Sequence, residues 1–258
     1  MNYGFIGFGN LASAIYRGLK GENDTQFAYF ARNKKNVDAL YFDNLEDLLA
    51  FADIIWLTIK PQDLVGILEQ LQPLKRTGKT FVSPVAGKSI NFIENYLGSE
   101  QTIVRIMPNL AIAYKKSVTA FATNNPDDNN ASYIFEILSK LGKAVKLEES
   151  GFDLFTSVFG SGPAFILAFI QIFKDKMSEF DLSGDVLDEL LLQLTEGTVS
   201  YFAANQVNFS IEELIKNITS KGGTTQAGLD YFRKHDIGKH FEGVLDAARN
   251  RSAEMSKK

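Results

Sequence analysis

The chain has 258 residues, of which 45% are hydrophobic and 22% charged, an ordinary globular composition with room for two domains. Its net charge of −4 and the lack of a long basic run argue against nucleic acid as a partner, because phosphate binding needs clustered Lys and Arg. With no cysteine and two histidines, disulfides and thiolate metal sites are excluded, and we expect no metal. The first residues lack the pattern of a signal peptide, so we expect a cytoplasmic protein.

Short β-type runs alternate with helical patterns over the first 150 residues. The strands are predicted at 3–7, 26–30, 54–59, 80–83, 102–107, 118–123 and 144–147. The helices are predicted at 11–19, 45–51, 61–71, 90–97 and 131–141. This alternation predicts an α/β domain whose parallel sheet carries helices on both faces, the doubly wound arrangement.

The remainder of the chain, from about residue 149, has helical patterns and no convincing strand. We predict an α/β domain over 1–150 and an all-helical domain over 151–258. Within the second domain, residues 154–173 carry no charge and are long enough to cross a membrane. Gly160 to Pro163 would break that helix, so we predict no membrane span but a buried turn and helix, in a dry core or a subunit interface.

A glycine-rich motif follows the first predicted strand. Residues Gly7 to Ala12 have the pattern G-x-G-x-x-A and lead into a helical pattern. In this context Gly7 makes a tight turn, Gly9 lets the backbone approach a pyrophosphate, and the small Ala12 lets helix and strand pack closely. The motif predicts dinucleotide binding, although a glycine-rich turn without a ligand would have the same spacing.

The second predicted strand ends near Phe30, where an NAD site places an acidic residue against the ribose hydroxyls. This chain instead has Arg32, Asn33 and Lys34, and the planar guanidinium of Arg32 can bind a 2′-phosphate. We therefore predict NADPH as the cofactor, with NADH left open. A solvated charged loop is the alternative.

Polar residues also end two other predicted strands. Lys60 follows the most hydrophobic strand, at the carboxyl edge where ligands bind in doubly wound folds, and either contacts the cofactor or extends into solvent. Asn109 follows the strand over 102–107 and either holds a cofactor amide or caps a turn.

Near the end of the chain, two glycines and two threonines stand together at 222–225. Such a turn can direct backbone N–H groups at a carboxylate, because glycine permits close approach and the following helix contributes its positive end. A plain turn between two helices is the alternative.

Six short blocks, in order and over essentially the whole chain, carry a family resemblance. They are Ile-Gly-Phe-Gly-Asn-Leu-Ala at 6–12, Ile-Lys-Pro-Gln at 59–62, Val-Ala-Gly at 85–87, Arg-Ile-Met-Pro-Asn at 105–109, Gly-Ser-Gly-Pro-Ala-Phe at 160–165 and Ser-Lys-Gly-Gly-Thr-Thr at 220–225. Together they resemble the pyrroline-5-carboxylate reductase family. The last two blocks are the specific ones, because many Rossmann enzymes share the first.

The resemblance implies an NADPH-binding Rossmann domain and a helical domain that dimerises by interleaving helices, giving homodimers that commonly assemble into a decamer. It also implies the last step of proline biosynthesis, in which a hydride passes from C4 of the nicotinamide to C5 of the cyclic imine pyrroline-5-carboxylate. This reaction needs no protein nucleophile, because a protonated imine is already electrophilic.

The resemblance further implies the site residues. Thr225 would be catalytic, with its hydroxyl hydrogen-bonded to the ring nitrogen, and the substrate site would comprise Glu149, Asn217, Gly223, Thr224 and Thr225. Together with the positions argued above, the cofactor site would comprise Ile6, Gly7, Phe8, Gly9, Asn10, Leu11, Arg32, Asn33, Lys34, Asn44, Thr58, Ile59, Lys60, Pro61, Val85, Ala86 and Gly87. Simpler roles stay open for two of them: Thr225 as a helix N-cap, and Glu149 as a solvated carboxylate at a helix start.

Three departures from the family pattern leave alternatives. Leu110 to Lys116 replaces the usual Thr-Pro-Ala and glycine turn near the active site, Lys221 replaces a proline, and Phe165 replaces a tyrosine. One alternative is another NADP-dependent imine or 3-hydroxyacid reductase on the same fold; the Gly-Gly-Thr-Thr turn disfavours the latter. The other is a non-enzymatic NADPH-binding paralogue, which the altered loop motivates.

Overall fold

The computed structural model describes residues 1–21 and 25–256, in which strands and helices alternate before a helical remainder. The strands are β1 (Asn2–Ile6), β2 (Gln26–Phe30), β3 (Leu40–Phe42), β4 (Ile54–Leu57), β5 (Thr80–Ser83), β6 (Thr102–Met107), β7 (Ser117–Thr123) and β8 (Gly142–Lys146). The α-helices are α1 (Asn10–Leu19), α2 (Leu45–Phe51), α3 (Leu64–Leu71), α4 (Ile90–Leu97), α5 (Asn129–Lys140), α6 (Phe152–Phe155), α7 (Gly162–Met177), α8 (Gly184–Asn205), α9 (Ile211–Asn217), α10 (Thr224–Lys234) and α11 (Ile237–Ser256). Shorter 3-10 or π turns lie at Pro61–Asp63, Leu110–Tyr114, Glu149–Gly151 and Thr156–Gly160.

The described strands form one sheet in the order β3-β2-β1-β4-β5-β6-β7-β8. Its first six positions are the strand order of the doubly wound dinucleotide-binding fold, so the predicted fold class is confirmed. One expectation needs correction, since the sheet is not wholly parallel: β7 runs antiparallel to β6, with Val104 opposite Thr123. The connection between these two strands is a short turn, which reverses the chain instead of crossing a face of the sheet.

The edge strand β3 was not predicted. It is three residues long and pairs parallel with β2, with Leu40 opposite Ala28. Leu40 is exposed, and a run this short has too few residues for an alternating pattern to be visible.

Helices cover both faces of the sheet and form two cores. On one face, α1 and α5 pack in a cluster that includes Trp56 of β4. On the other face, α2, α3 and α4 pack in a cluster that includes the neighbouring Ile55. Because β4 is buried on both faces, its sequence is continuously apolar, as expected for a central parallel strand.

The atypical segment between β6 and β7 is an ordered turn that packs on α1. The Asn109 side-chain oxygen accepts a hydrogen bond from the Ala111 N–H at 3.0 Å, so Asn109 caps this turn. Ile112 is fully buried, and Lys115 takes a left-handed conformation with φ of 57° before β7 begins. The segment therefore has its own means of reversing the chain without the proline and glycine of the family pattern.

The charge-free stretch at 154–173 contains a π-helical turn, Thr156–Gly160, followed by α7. The prediction of a helix buried in the chain's own core is wrong: no residue of α7, all of which the structure describes, is buried, and Leu167 is 62% exposed. An apolar sequence indicates a helix face that is buried in the native protein. It does not indicate whether the same chain or a second chain buries that face. The interface alternative stays a prediction.

Within the part of the chain that the structure describes, one helical stretch, Glu149–Met177, is long and apolar enough to cross a membrane by length and composition alone. A single helix of this kind is weak evidence of a span.

The chain forms two compact units. One comprises Met1–Ser161 with Ala247–Lys258, and the other comprises Gly162–Asp246. The predicted domain boundary at residue 150 stays a prediction.

The packing of α1 against the turn at Leu110–Tyr114 gives a stability prediction. A Cβ atom at Gly18 would lie 2.6 Å from the Ile112 carbonyl oxygen, so we expect Gly18→Ala to lower the free energy of unfolding by about 1–3 kcal/mol. Gly66→Ala in α3 is the matched control. Apart from its chain neighbours and the backbone of its own helix, no described heavy atom lies within 4 Å of its added Cβ, and helix propensity favours alanine by up to about 1 kcal/mol. Urea unfolding at one protein concentration measures both. Equal effects of the two substitutions would contradict the packing argument.

Candidate functional site

The turn between β1 and α1 is closed by contacts from two neighbouring strands. Gly7 has a φ of 86°, and its N–H donates to the Phe30 carbonyl at the end of β2, at 2.8 Å. The Thr58 hydroxyl, just after β4, donates to the Gly7 carbonyl at 2.7 Å. A Cβ atom on Gly7 would lie 2.7 Å from the Thr58 carbonyl oxygen. Only glycine fits this position without strain.

The start of α1 has the features of an anion site. Gly9 is the N-cap residue and supplies no side-chain cap. Apart from its two chain neighbours, no heavy atom of the described residues lies within 4 Å of a Cβ built there. Ala12 is fully buried, so the helix packs closely on the sheet. The first N–H groups of a helix have no intrahelical partner and attract negative charge. The space next to Gly9, where the pyrophosphate is predicted to bind, is therefore open to a ligand.

The segment after β2 is exposed and cationic. The Arg32 side chain is 90% exposed, and its Nη2 lies 3.6 Å from the Asp63 carboxylate. Asn33, Lys34 and Lys60 are also exposed. An exposed ion pair of this length is worth little, so the Arg32 guanidinium is available to an anionic ligand.

Asn44 has a local role in the structure. Its side-chain oxygen accepts from the Asp47 N–H at 2.9 Å and caps α2, while its amide donates to the carboxylates of Asp43 and Asp47. Its predicted contact with the cofactor stays a prediction.

The loop at 84–89, which contains Val85, Ala86 and Gly87, is held at both ends. At its start the Ser83 hydroxyl accepts from the Val85 N–H at 3.4 Å. At its end the Ile90 N–H donates to the two carboxylate oxygens of Glu149, at 3.0 and 3.3 Å. Gly87 lies between these ends with a φ of 72°.

Glu149 also forms an ion pair that the sequence analysis missed. Its carboxylate lies 2.6 Å from Nη1 of Arg105, a residue of β6 whose side chain is 5% exposed. The Arg105 guanidinium lies 4.4 Å from the centre of the Phe152 ring. An arginine in the middle of an otherwise apolar strand was the available signal, because a buried cation needs an anionic partner. Glu149 is therefore not simply a solvated carboxylate, and its predicted contact with substrate stays a prediction.

The glycine and threonine turn leads into α10. Gly222 has a φ of 73°, and its N–H donates to the Gln226 side chain at 2.7 Å. Gly223 is the N-cap residue, so Thr225 lies in the first helical turn and the N-cap alternative is wrong. Within the described chain the Thr225 hydroxyl has no hydrogen-bond partner, which leaves it available to a ligand. Asn217 is the exposed last residue of α9.

The predicted residues fall into two sets. All the predicted cofactor residues and Glu149 belong to the unit containing the sheet, whereas Asn217, Gly223, Thr224 and Thr225 belong to the helical unit. In the described ranges, no group of three or more His, Asp or Glu side chains could hold a metal ion.

The sheet order and the β1–α1 turn define a dinucleotide-binding protein of the Rossmann class. Residues 2–87 match a family model described as NADP oxidoreductase, coenzyme F420-dependent. Residues 149–255 match the model described as pyrroline-5-carboxylate reductase dimerisation.

Relatives match along the whole chain. The chain is 33% identical to pyrroline-5-carboxylate reductase of Staphylococcus haemolyticus, over 98% of this chain and 97% of the relative. The crystal structure of Plasmodium falciparum pyrroline carboxylate reductase with NADP bound has a TM-score of 0.92 at 27% identity, and covers 99% of this chain and 98% of that one. The Streptococcus pyogenes enzyme has a TM-score of 0.87 at 25% identity, with 98% of each chain covered. This chain belongs to the pyrroline-5-carboxylate reductase family, as the sequence resemblance predicted.

The ion pair between the buried Arg105 and the partly exposed Glu149 gives a second prediction. Glu149→Ala leaves the Arg105 cation without its partner, and we expect a loss of about 3 kcal/mol in the free energy of unfolding, measured by urea unfolding. Adding Arg105→Met removes the stranded charge and should restore part of that loss. Additive losses in the double variant would mean that the two side chains do not stabilise the fold as a pair.

Proposed function

We propose that this protein is an NADPH-dependent pyrroline-5-carboxylate reductase, which reduces the cyclic imine of 1-pyrroline-5-carboxylate to L-proline in the last step of proline biosynthesis. The observation that carries the proposal is the start of α10, where Gly222 and Gly223 precede a first helical turn with an unpartnered threonine hydroxyl. A small ligand with a carboxylate and a ring nitrogen has the chemistry that this surface recognises. The named relatives support the same reaction.

The substrate carboxylate is proposed to bind at Gly223 and Thr224. The Thr224 N–H has no partner within the helix, whereas the Gly223 N–H donates to the Ser220 carbonyl at 3.0 Å and would be shared with the substrate. These groups lie at the positive end of α10, which favours an anion. The protonated ring nitrogen then donates a hydrogen bond to the Thr225 hydroxyl, which orients the imine carbon and stabilises the reactive form. Asn217 and Glu149 are the other residues proposed to contact the substrate.

The cofactor is proposed to bind along the carboxyl edge of the sheet. The open position at Gly9 lets a pyrophosphate approach the start of α1, and Arg32 can turn from Asp63 to a 2′-phosphate. Bound NADPH supplies the hydride that the imine carbon accepts. The proposed cofactor residues are those of the 6–11 turn, 32–34, Asn44, 58–61 and 85–87.

We also propose a homodimer, which can assemble further into a decamer. The match of residues 149–255 to a dimerisation model supports a dimer through the helical unit. That unit exposes many large apolar side chains, among them Ile166, Leu167, Ile172, Phe173, Leu192 and Val199. Covering these side chains with a second copy would stabilise both chains. The protein is proposed to act in the cytoplasm without a nucleic-acid or membrane partner. Its net charge of −4 supports the absence of a nucleic-acid partner.

The reaction is tested by following NADPH absorbance at about 340 nm with pyrroline-5-carboxylate, and then with NADH. We expect substrate-dependent oxidation that is faster with NADPH at low cofactor concentration.

Thr225→Ala should lower kcat by about 100-fold, because the imine loses its orienting contact, and Thr225→Ser should retain most activity. The Kd for NADPH, measured by fluorescence, should stay the same in both variants. NADPH binding without substrate-dependent oxidation by the wild-type protein would instead support a non-enzymatic paralogue.

The cofactor position is tested at two glycines of one turn. Gly9 has a φ of −92°, which alanine also adopts, so Gly9→Ala should change the free energy of unfolding by no more than about 1 kcal/mol. Its methyl group would occupy the proposed pyrophosphate position, and we expect the Kd for NADPH to rise at least about tenfold. Gly7→Ala is the contrasting variant, because its strain should lower stability even without cofactor. An unchanged Kd in Gly9→Ala would refute the pyrophosphate position.

A further inference from the structure

The last turn of α11, Ser252–Ser256, lies against the loop at 84–89. A Cβ atom built on Gly87 would lie 2.6 Å from the Met255 Cβ and 2.8 Å from the Met255 carbonyl carbon. It would also lie 3.0 Å from the Ser256 nitrogen. These are backbone atoms or the first side-chain atom, which cannot move aside as a flexible side-chain end can. The loop and the end of α11 therefore meet backbone to backbone, at a position that only glycine fills.

A second contact fixes the same turn of α11. Ser252 is 4% exposed, and its hydroxyl donates to the Asp153 carboxylate at 2.6 Å. Asp153 belongs to α6, which begins directly after the turn containing Glu149. The end of α11 is thus tied to the short segment whose Glu149 carboxylate holds the Ile90 N–H.

These contacts hold the loop at three points. Ser83 binds its start, Glu149 binds the residue that follows it, and Met255 packs on its middle at Gly87. Between the first two points, the Lys88 N–H donates to the Val85 carbonyl at 3.4 Å, and the Lys88 amino group lies 4.2 Å from the centre of the Phe92 ring. These contacts are made within the loop and with α4, whereas the contact at Gly87 ties the loop to α11.

We propose that the turn Ser252–Ser256 is a positioning element for the loop at 84–89, and that Ser252 and Met255 set the place of Val85, Ala86 and Gly87 during hydride transfer. The proposal depends on the proposed function, in which this loop borders the nicotinamide. Ser252 contacts α6 and Met255 contacts the loop. Both residues therefore act through other residues and not on the reacting atoms. A displacement of about 1 Å at a reacting centre can lower a rate by up to about 100-fold, which makes such a contact significant for turnover.

The test compares full-length variants with one exposed control. Ser252→Ala removes the hydroxyl that fixes the turn, and we expect kcat to fall about tenfold while the Kd for NADPH changes less than about twofold. The small change in Kd follows because the proposed pyrophosphate and phosphate contacts lie elsewhere, at Gly9 and Arg32. Asp153→Ala should have the same effect as Ser252→Ala, and Asp153→Asn, which keeps an oxygen acceptor, should restore most of kcat. Arg251→Ala is the control, because Arg251 is exposed and pairs only with Glu254 in the described chain.

Two further measurements separate positioning from general stability. Hydrogen exchange at the amides of 84–89 should speed up in Ser252→Ala, whereas exchange in β4 and β5 should not change. A chain ending at Arg251 should show the same loss of kcat relative to a chain ending at Ser256.

The proposal is overturned if exchange at 84–89 does not change in Ser252→Ala. It is also overturned if kcat and the melting temperature fall together while the Kd for NADPH rises. Failure of the proposed function is distinguishable from failure of this inference. If the wild-type protein does not reduce pyrroline-5-carboxylate, the hydrogen-exchange comparison still decides whether Ser252 restrains the loop.

Discussion

Close backbone packing around α1 is the constraint on which the sheet and the proposed cofactor site both depend. At its start, Gly7 fits against the Thr58 carbonyl and donates to the end of β2. Near its end, Gly18 meets the Ile112 carbonyl of the turn that precedes β7. Because each contact needs a residue without a side chain, α1 lies closer to its neighbours than larger residues would allow. This closeness leaves the start of α1 facing the carboxyl edge of the sheet, where an anion can reach its N–H groups.

The sequence predicted the local structure well where hydrophobic periodicity was clear. The bounds predicted for β2, β5, β6, α2 and α4 agree with the structure, because each of these elements has a regular pattern between polar or glycine residues. Periodicity carries no information about strand direction, so the antiparallel β7 could not be predicted from it. The edge strand β3 was missed because three residues are too few to show a pattern. The sequence could also not show that α7 would be exposed, since the same apolar run suits a core and an interface.

The candidate site also has features that the local sequence predicts and others that depend on distant segments. The glycine motif at 7–12 and the turn at 222–225 are visible in the sequence, because their glycines stand at characteristic spacings next to a helical pattern. The contacts of Arg105 with Glu149, which are 44 positions apart, and of Gly87 with Met255 depend on how distant segments meet. Only the unexpected arginine in β6 signalled one of them. Loop 84–89 is thus recognisable from its own residues, while the contacts that hold it are not.

The exposed faces of α7 and α8 bear on the stability of the protein as well as on its assembly. A chain alone in solution leaves these apolar side chains in water, and a second copy would remove much of that surface from solvent. Partner binding then stabilises the folded state by mass action, so the folding equilibrium includes the chain concentration as a variable. Dilution would dissociate the proposed dimer and so lower the stability of the helical unit, as a denaturant does. If the proposed dimer forms, the measured stability is therefore a property of the associated chains at a given concentration and not of a single chain.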